Sequence, residues 1–305
     1  MFSRQLAYLV ALERERHFGR AARACHVSQP TLSAAVRKLE AELGVPLVRR
    51  GPRFEGFTPE GERVVRWAHR ILADYDGLAQ EVSTLHGSLE GVLRVGAIPT
   101  SLPGISLLTS PFCERFPRMR VEVLSLSSRE IERRLATFAI DAGITYLGNE
   151  PLGAVRAASL YRERYVLLSR ADGPFAGRAT VAWAEAATVP LCLLTPDMQN
   201  RRILDTTFRA AGVEVSPTVE TNSVSTLASH VLRGWSSVMA HAWLSLFGVP
   251  PGMRAIPLVS PEVQHEIGVV VAEDVEPLPP VTAALVELAR RLDMEAELDL
   301  LIATR

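Results

Sequence analysis

Residues 19–44, GRAARACHVSQPTLSAAVRKLEAELG, predict two short helices joined by a tight turn. The first helix carries small apolar side chains, including Ala21 and Ala22, which allow a second helix to cross it closely. Ser28 stands where a helix N-cap belongs, and Pro30 falls in the first turn of the second helix, where its missing N–H costs nothing. This stretch therefore has the build of a helix-turn-helix, a motif whose second helix enters the major groove of DNA.

The second helix of this motif has an apolar face and a polar face. Its apolar residues recur at spacings of four, three and four, and this pattern predicts burial of Leu32, Val36, Leu39 and Leu43. Val27 is predicted to be buried in the turn, and Gly44 ends the helix. The helix start and the polar face offer candidate contacts to DNA bases or phosphates, namely Gln29, Pro30, Thr31, Ser33 and Arg37. Ordinary exposed helix positions are the alternative explanation for each of them.

A wing is predicted directly after the helix-turn-helix, in residues 45–62, VPLVRRGPRFEGFTPEGE. The glycines and proline at its centre mark a turn between two short extended arms. Arg50 and Arg53 are the candidate DNA-binding cations of this turn, and a solvated turn cation is the alternative.

The helix predicted to start at Thr58 and Pro59 carries a heptad pattern. Apolar residues alternate at spacings of four and three over about three repeats, at Val64, Ala68, Ile71, Tyr75, Leu78, Val82 and Leu85. Such a seam predicts a dimer interface, with Ile71, Tyr75, Leu78, Val82 and Leu85 as its contacts. A core helix packed on its own domain would show a similar stripe and is the alternative.

Charge is distributed unevenly along the 305 residues. Residues 1–70 hold 13 Arg or Lys against 7 Asp or Glu, whereas the whole chain carries a formal net charge of −1. A basic N-terminal part on an acidic remainder indicates a polyanionic partner at one end only. The three cysteines lie far apart, and no apolar run reaches the length of a membrane span, so a reduced, cytoplasmic protein without membrane association is expected.

Beyond a loose linker at residues 86–91, short apolar runs alternate with helical patterns, which is typical of α/β units. Strands are predicted at 92–98, 121–126, 142–145, 164–169, 190–195, 216–221, 236–241 and 267–272. A closing helix is predicted from about Pro280. No catalytic arrangement is evident, because the sequence lacks a nucleophile elbow, a phosphate-binding loop, a dinucleotide fingerprint and metal-ligand spacing.

The chain resembles the LysR-type transcriptional regulators. The residues that carry this resemblance are Ala21-Ala22, Val27-Ser28-Gln29-Pro30, Leu32-Ser33, Leu39-Glu40, Leu43-Gly44, Leu47, Arg50, Thr58 and Gly61. The likeness extends over all 305 residues through length and layout. Two departures concern DNA reading and packing: Ala34 and Ala35 stand where relatives often carry a polar reader, and Val48 replaces a common Phe.

The resemblance implies a mainly α winged helix-turn-helix followed by a two-lobed α/β effector domain of the periplasmic-binding-protein type. The DNA-binding domain would span residues 1–58, the dimerising linker helix 59–87 and the effector domain 88–305. Within the effector domain, lobe one would comprise 92–162 and 268–305, and lobe two 163–267. The resemblance also implies a homodimer or homotetramer, promoter DNA and RNA polymerase as partners, and no cofactor.

The effector site is expected between the two lobes, where strand ends and helix starts converge. Hydroxyl-bearing pairs follow strands and open helices there, and with nearby backbone N–H groups they would bind an anion. The candidate effector contacts are Thr100, Ser101, Ser127, Ser128, Thr195, Pro196, Asn222 and Ser223. Plain N-capping is the alternative for these residues. Tyr146 and His241 are further candidates, with a buried core position as the alternative for His241.

These observations together predict a non-enzymatic transcriptional regulator whose activity is controlled by a small anionic metabolite. Formate or another small carboxylate is the specific expectation. Two other classes stay open: a metabolite-binding protein without specific DNA function, and an enzyme built on the α/β lobes.

Overall fold

The computed structural model describes residues 2–49, 51, 54–85, 89–273, 275 and 277–303. Its chain divides into two compact units, one of residues 1–88 with 136–139, and one of the rest from residue 89 onward. None of the helices in the described part of the chain is long and apolar enough to cross a membrane.

The N-terminal unit consists of four helices: α1 (Phe2–Glu15), α2 (Phe18–Ala24), α3 (Gln29–Leu43) and α4 (Pro59–Leu85). Its core combines apolar side chains of all four helices, among them Leu9, Ala21, Leu32, Val36, Leu39 and Ala68. Ser28 caps α3, since its Oγ accepts the backbone N–H of Thr31 at 3.3 Å. Gly44 ends α3 with a φ of 72°, a left-handed conformation that glycine adopts without strain.

Two sequence-based predictions of burial in this unit need correction. Leu43 is 42% exposed, so its predicted burial is wrong. Leu43 is the last residue of α3, and Leu47, beyond the turn at Gly44, is fully buried in the core instead. Val27 packs against the core but is only half-buried.

The predicted wing is reduced to a minimal antiparallel pair. Val48 and Phe57 form one isolated antiparallel bridge, and the backbone N–H of Arg49 donates to the Gly56 carbonyl oxygen at 3.0 Å. Arg50 and Arg53, the predicted cations of this turn, lie outside the described residues.

A five-stranded sheet and its helices are called lobe one below, and they include both the first and the last elements of the C-terminal unit. Lobe one contains β1 (Gly91–Ala97), a short 3-10 helix (Pro103–Ile105), α5 (Ser106–Arg115), β2 (Met119–Ser125), α6 (Ser128–Ala136), β3 (Ala142–Tyr146) and β4 (Val155–Glu163), and later β11 (His265–Ala272), α11 (Pro280–Arg291) and α12 (Met294–Ala303). The strand order is β2-β1-β3-β11-β4. β1 runs parallel to β2 and β3, and β11 runs antiparallel to β3 and β4.

The intervening segment forms a second sheet, called lobe two below. It contains β5 (Tyr165–Arg170), β6 (Val181–Ala182), α7 (Trp183–Ala186), β7 (Cys192–Leu194), α8 (Gln199–Ala210), β8 (Val219–Thr221), α9 (Val224–Val231), β9 (Ser237–Ala240), α10 (His241–Phe247) and β10 (Met253–Val259). Four strands pair in the order β6-β10-β5-β9, and β7 pairs with β8. A parallel bridge between Leu191 and Ser236 connects these two groups.

The chain passes between the lobes twice, from β4 to β5 through Arg164 and from β10 back to β11. Three strands, β4, β6 and β10, were not predicted from the sequence. β10 contains Pro257, which lacks a backbone donor and weakens the strand signal. β4 is an edge strand that mixes polar and apolar residues, so it has no continuous apolar run.

Candidate functional site

The start of α3 presents the polar side chains predicted to contact DNA. Gln29, Pro30, Thr31 and Arg37 are exposed, and Ser33 is half-buried. Thr31 also lies against the N-cap, with its Oγ1 2.8 Å from the Ser28 Oγ. Because one face of α3 is buried in the core, these residues are displayed on the opposite side of a helix that cannot rotate.

Glu40 connects this helix to the wing, a role that sequence reasoning missed. The side chain is buried, and its Oε1 accepts the backbone N–H of Leu47 at 2.8 Å and that of Val48 at 3.2 Å. A buried carboxylate that accepts two backbone donors fixes the chain after Gly44 against α3. Gly61 makes a close approach nearby, because an added Cβ would lie 2.0 Å from the Leu47 carbonyl oxygen.

The apolar stripe of α4 is divided between two environments. Near the start of the helix Ala68 is buried in the N-terminal core and Val64 is half-buried against it. The seam residues further along are exposed, at 36% for Ile71, 61% for Tyr75, 59% for Leu78 and 48% for Val82. The side chain of Leu85 lies outside the described residues. The first part of the stripe is therefore core, whereas the second part is an exposed apolar face.

A buried hydrogen-bond network joins the two lobes at Tyr146. The Tyr146 hydroxyl donates to Glu163 Oε1 and accepts from Asn200 Nδ2 at 3.0 Å. Thr100 Oγ1 lies 3.4 Å from the same hydroxyl oxygen. Asn200 belongs to α8 of lobe two, whereas Thr100 and Tyr146 belong to lobe one. The network brings two candidate effector residues, Thr100 and Tyr146, together at the point where Asn200 of lobe two contacts lobe one.

Glu163 lies at the end of β4, where the chain first leaves lobe one. Its side chain is fully buried, and burial raises the pKa of this carboxyl to about 7. The second carboxyl oxygen, Oε2, and the hydroxyls of Tyr161 and Tyr165 are buried without a hydrogen-bond partner among the described residues. Burial, together with the adjacent carboxyl, raises the pKa of both tyrosines.

Three of the six predicted effector hydroxyls form hydrogen bonds with residues close by in the sequence. Ser101 Oγ donates to the Ile98 carbonyl at 3.0 Å. Ser127 and Glu130 cap α6 reciprocally, and Ser223 caps α9 by accepting the N–H of Thr226 at 3.4 Å. Asn222 is exposed. His241 is buried, its Nδ1 accepts the N–H of Arg164 at 3.0 Å, and burial lowers its pKa to about 4.

Two further predicted effector residues, Ser128 and Pro196, contact Arg202 of α8, which the sequence reading did not single out. Ser128 Oγ is 3.4 Å from Arg202 Nη2, and the Pro196 carbonyl accepts from Nη1 at 3.1 Å. Thr195 Oγ1 is buried and has no partner in the described part of the chain. Arg202 also forms an ion pair with Glu150 of lobe one, with Nε to Oε1 at 2.6 Å and Nη2 to Oε2 at 2.8 Å.

All three cysteines are free thiols. Cys192 is fully buried in lobe two, and burial raises its pKa to about 11. Cys25 is half-buried in the N-terminal unit with a raised pKa, and Cys113 is exposed on α5. Within the described ranges, no group of three or more His, Cys, Asp or Glu side chains could hold a metal ion.

Two family models match the chain, one on each unit. A model described as a bacterial regulatory helix-turn-helix protein of the lysR family matches residues 3–62. A model described as a LysR substrate binding domain matches residues 86–293.

Curated relatives and solved structures are similar over nearly the whole chain. The DNA-binding transcriptional dual regulator OxyR of Escherichia coli is 32% identical over 273 residues, with 88% of each chain covered. The hydrogen peroxide-inducible genes activator of Haemophilus influenzae is 29% identical over 270 residues, covering 88% of this chain and 89% of that protein. A full-length OxyR variant from Pseudomonas aeruginosa has a TM-score of 0.76 and 28% identity, with 97% of each chain covered. CbnR bound to its target DNA shares the fold, with a TM-score of 0.68 and 23% identity over 95% of this chain and 99% of that one.

A helix-turn-helix with an exposed polar face, followed by two α/β lobes, defines a non-enzymatic DNA-binding transcriptional regulator. The chain belongs to the LysR family of bacterial regulators.

Proposed function

We propose that this protein is a cytoplasmic LysR-type regulator that binds promoter DNA and responds to a small effector between its lobes. The division of labour follows the sequence boundaries: residues 1–58 bind DNA, 59–87 join two protomers, and 88–305 bind the effector. The assembled regulator then acts on transcription through RNA polymerase.

DNA recognition is assigned to the exposed start of α3. Gln29 can form paired hydrogen bonds with adenine, while Thr31, Ser33 and Arg37 reach bases or phosphates. Ala34 is exposed but has no polar group to read a base edge. We therefore infer a sparse set of base contacts, with further contribution from the wing and from DNA shape.

Self-association is assigned to the exposed face of α4. Large apolar side chains at Tyr75 and Leu78 are more than half exposed, and a helix with its polar and apolar sides separated gains stability by burying the apolar side. A homodimer formed along this face would present two recognition helices to a partly palindromic site, and pairs of dimers would give the tetramer.

The observation that carries the effector proposal is the polar contact between the lobes. α8 of lobe two reaches Tyr146 through Asn200 and Glu150 through Arg202. A molecule that enters this space must alter those contacts, and hence the equilibrium between open and closed lobes. Nothing in the comparisons supports formate itself as the effector, and we propose only a small carboxylate-bearing metabolite.

Relatives named as peroxide-inducible activators suggest thiol oxidation as another way to control the protein. The environment of Cys192 does not fit such chemistry. Oxidation by peroxide requires an accessible thiolate, whereas Cys192 is fully buried with a pKa of about 11. Its Sγ lies 3.6 and 3.5 Å from the backbone carbonyl oxygens of Leu227 and Ser236.

Footprinting of the full-length protein on its own promoter region tests the proposal. Sequence-selective protection is expected, and Gln29→Ala should weaken it at least tenfold. Glu42→Gln is the matched control, because Glu42 lies near the other end of α3 and is exposed. Absence of selective protection by the unmodified protein would favour a metabolite-binding protein without DNA function.

A further inference from the structure

The ion pair between Glu150 and Arg202 crosses from one lobe to the other. Both guanidinium donors that face lobe one, Nε and Nη2, are occupied by the two carboxylate oxygens of Glu150, at 2.6 and 2.8 Å. This paired geometry is the one by which arginine recognises a free carboxylate. Hydrogen bonding to Arg202 lowers the pKa of Glu150, so the carboxylate is ionised at neutral pH.

Arg202 is held in place without any help from Glu150. Its Nη1 donates to the carbonyl oxygens of Pro196 and Asp197, at 3.1 and 2.7 Å, both in its own lobe. Removal of Glu150 would therefore leave a guanidinium whose two remaining donors still point toward lobe one. A preoriented arginine loses less conformational entropy when it binds a ligand.

The surroundings of the Glu150 carboxylate favour a negative charge. Ser128, the first residue of the nine-residue helix α6, places its Oγ 3.4 Å from Arg202 Nη2. The positive charge of Arg129 further lowers the pKa of Glu150. One turn before Arg202 on α8, Gln199 is 2% exposed, and its Nε2 has no partner in the described structure. Gln199 therefore carries a buried donor on the same helix as Arg202.

Glu150 is also able to leave. The side chains of Glu150 and Arg202 are 33% and 23% exposed. Water can therefore hydrogen-bond to either side chain in place of its partner. At this partial exposure water screens the ion pair, so the Glu150 carboxylate can exchange with an external carboxylate.

We propose that Arg202 binds the anionic group of the effector and that Glu150 occupies this position when no effector is present. This inference rests on the proposed function and adds which residue binds the carboxylate of the effector and which residue competes with it. Binding replaces the carboxylate of the chain by that of the ligand on the same two donors. Glu150 thereby sets a threshold concentration for the effector, because every ligand must compete with a tethered carboxylate.

Titration calorimetry on the full-length protein, with sodium acetate and sodium benzoate as probes, tests the inference. Glu150→Ala and the isosteric Glu150→Gln should each bind at least one probe tenfold more tightly than the unmodified protein, and more so for alanine. Adding Arg202→Gln to either variant should abolish the gain. Glu220→Gln is the matched control, since Glu220 pairs with Arg201 at 2.6 Å inside lobe two, and it should bind the probes as the unmodified protein does.

Equal affinity in the Glu150 variants and the unmodified protein, or a gain that survives Arg202→Gln, would overturn the inference. Footprinting of the same variants separates this failure from failure of the proposed function. Tighter probe binding with an unchanged footprint would support the site and contradict control of DNA binding by it. A footprint that responds to a carboxylate without any gain in the Glu150 variants would keep the proposed function and reject the role of Glu150.

Discussion

Tyr146 donates its hydroxyl proton to Glu163, which lies buried where the chain first crosses between the lobes. Asn200 from the other lobe donates to the same hydroxyl oxygen, so one tyrosine connects both lobes and the crossing strand. The carboxyl at the centre of this network titrates near neutrality, because burial raises its pKa from 4.5 to about 7.

Glu163 should make the stability of the C-terminal unit depend on pH. In the unfolded chain this carboxyl ionises near pH 4.5, whereas in the folded chain it holds its proton to about pH 7. The stabilising contribution is thus fully present below pH 4.5 and is lost as the pH rises to about 7. At about 1.4 kcal/mol per pKa unit the loss is on the order of 3 kcal/mol.

Glu163→Gln, which keeps a neutral group of the same shape, should remove this dependence. Urea unfolding at several pH values, followed by the fluorescence of the lobe-two tryptophans Trp183, Trp235 and Trp243, measures it. The variant should become progressively more stable than the unmodified protein between pH 5 and 8. Parallel pH curves for the two proteins would contradict the prediction.

Glu40→Ala should destabilise the N-terminal unit. The substitution leaves the buried backbone donors of Leu47 and Val48 without their carboxylate acceptor, at a cost of about 1–3 kcal/mol. The midpoint of thermal unfolding and the affinity for DNA should both decrease, because the chain after α3 loses its attachment to the recognition helix. Glu42→Ala, at an exposed position of the same helix, should change the midpoint far less. Similar midpoints for both variants would argue against a role for Glu40.

Leu78→Asp should dissociate the homodimer. It places a charge in the middle of the exposed apolar face of α4, where a partner helix would have to bury it. Sedimentation or light scattering should report a monomer at concentrations where the unmodified protein is oligomeric. Gln80→Glu adds a negative charge roughly 200° further around the helix and should leave the mass unchanged. An unchanged mass for Leu78→Asp would assign the exposed face to another role.

The three thiols should differ in reactivity. Cys113 is exposed and should react rapidly with a maleimide in the native protein, whereas buried Cys192 should react only after unfolding. Mass spectrometry after a short pulse of reagent distinguishes the sites. Rapid modification of Cys192 in the native protein, by maleimide or by hydrogen peroxide, would instead support control of the protein by thiol oxidation.

Local sequence patterns predicted much of this fold because their causes are local. The N-cap at Ser28, the glycine stop at Gly44 and the apolar spacing of Leu32, Val36 and Leu39 act within a few turns of one helix. The limits of such reasoning appear at Leu43, which continues the apolar spacing yet is exposed. Spacing reports a face of a helix, whereas burial also requires a neighbour at that position.

The candidate effector site shows the same division. Sequence patterns identified the long amphipathic helix, the α/β units and the hydroxyl residues at helix starts, and the family resemblance implied the two lobes. The sequence could not say which hydroxyls cap helices, as Ser127 does, and which contact the other lobe, as Ser128 does.

Only the tertiary structure showed the ion pair between Glu150 and Arg202 and the hydrogen bond from Tyr146 to Glu163. Glu150 and Arg202 come from different lobes and look like ordinary charged surface residues in the sequence. Their pairing depends on how the lobes pack. Secondary structure follows from interactions between near neighbours in the chain, whereas the chemistry of this site follows from contacts that form only when distant segments meet.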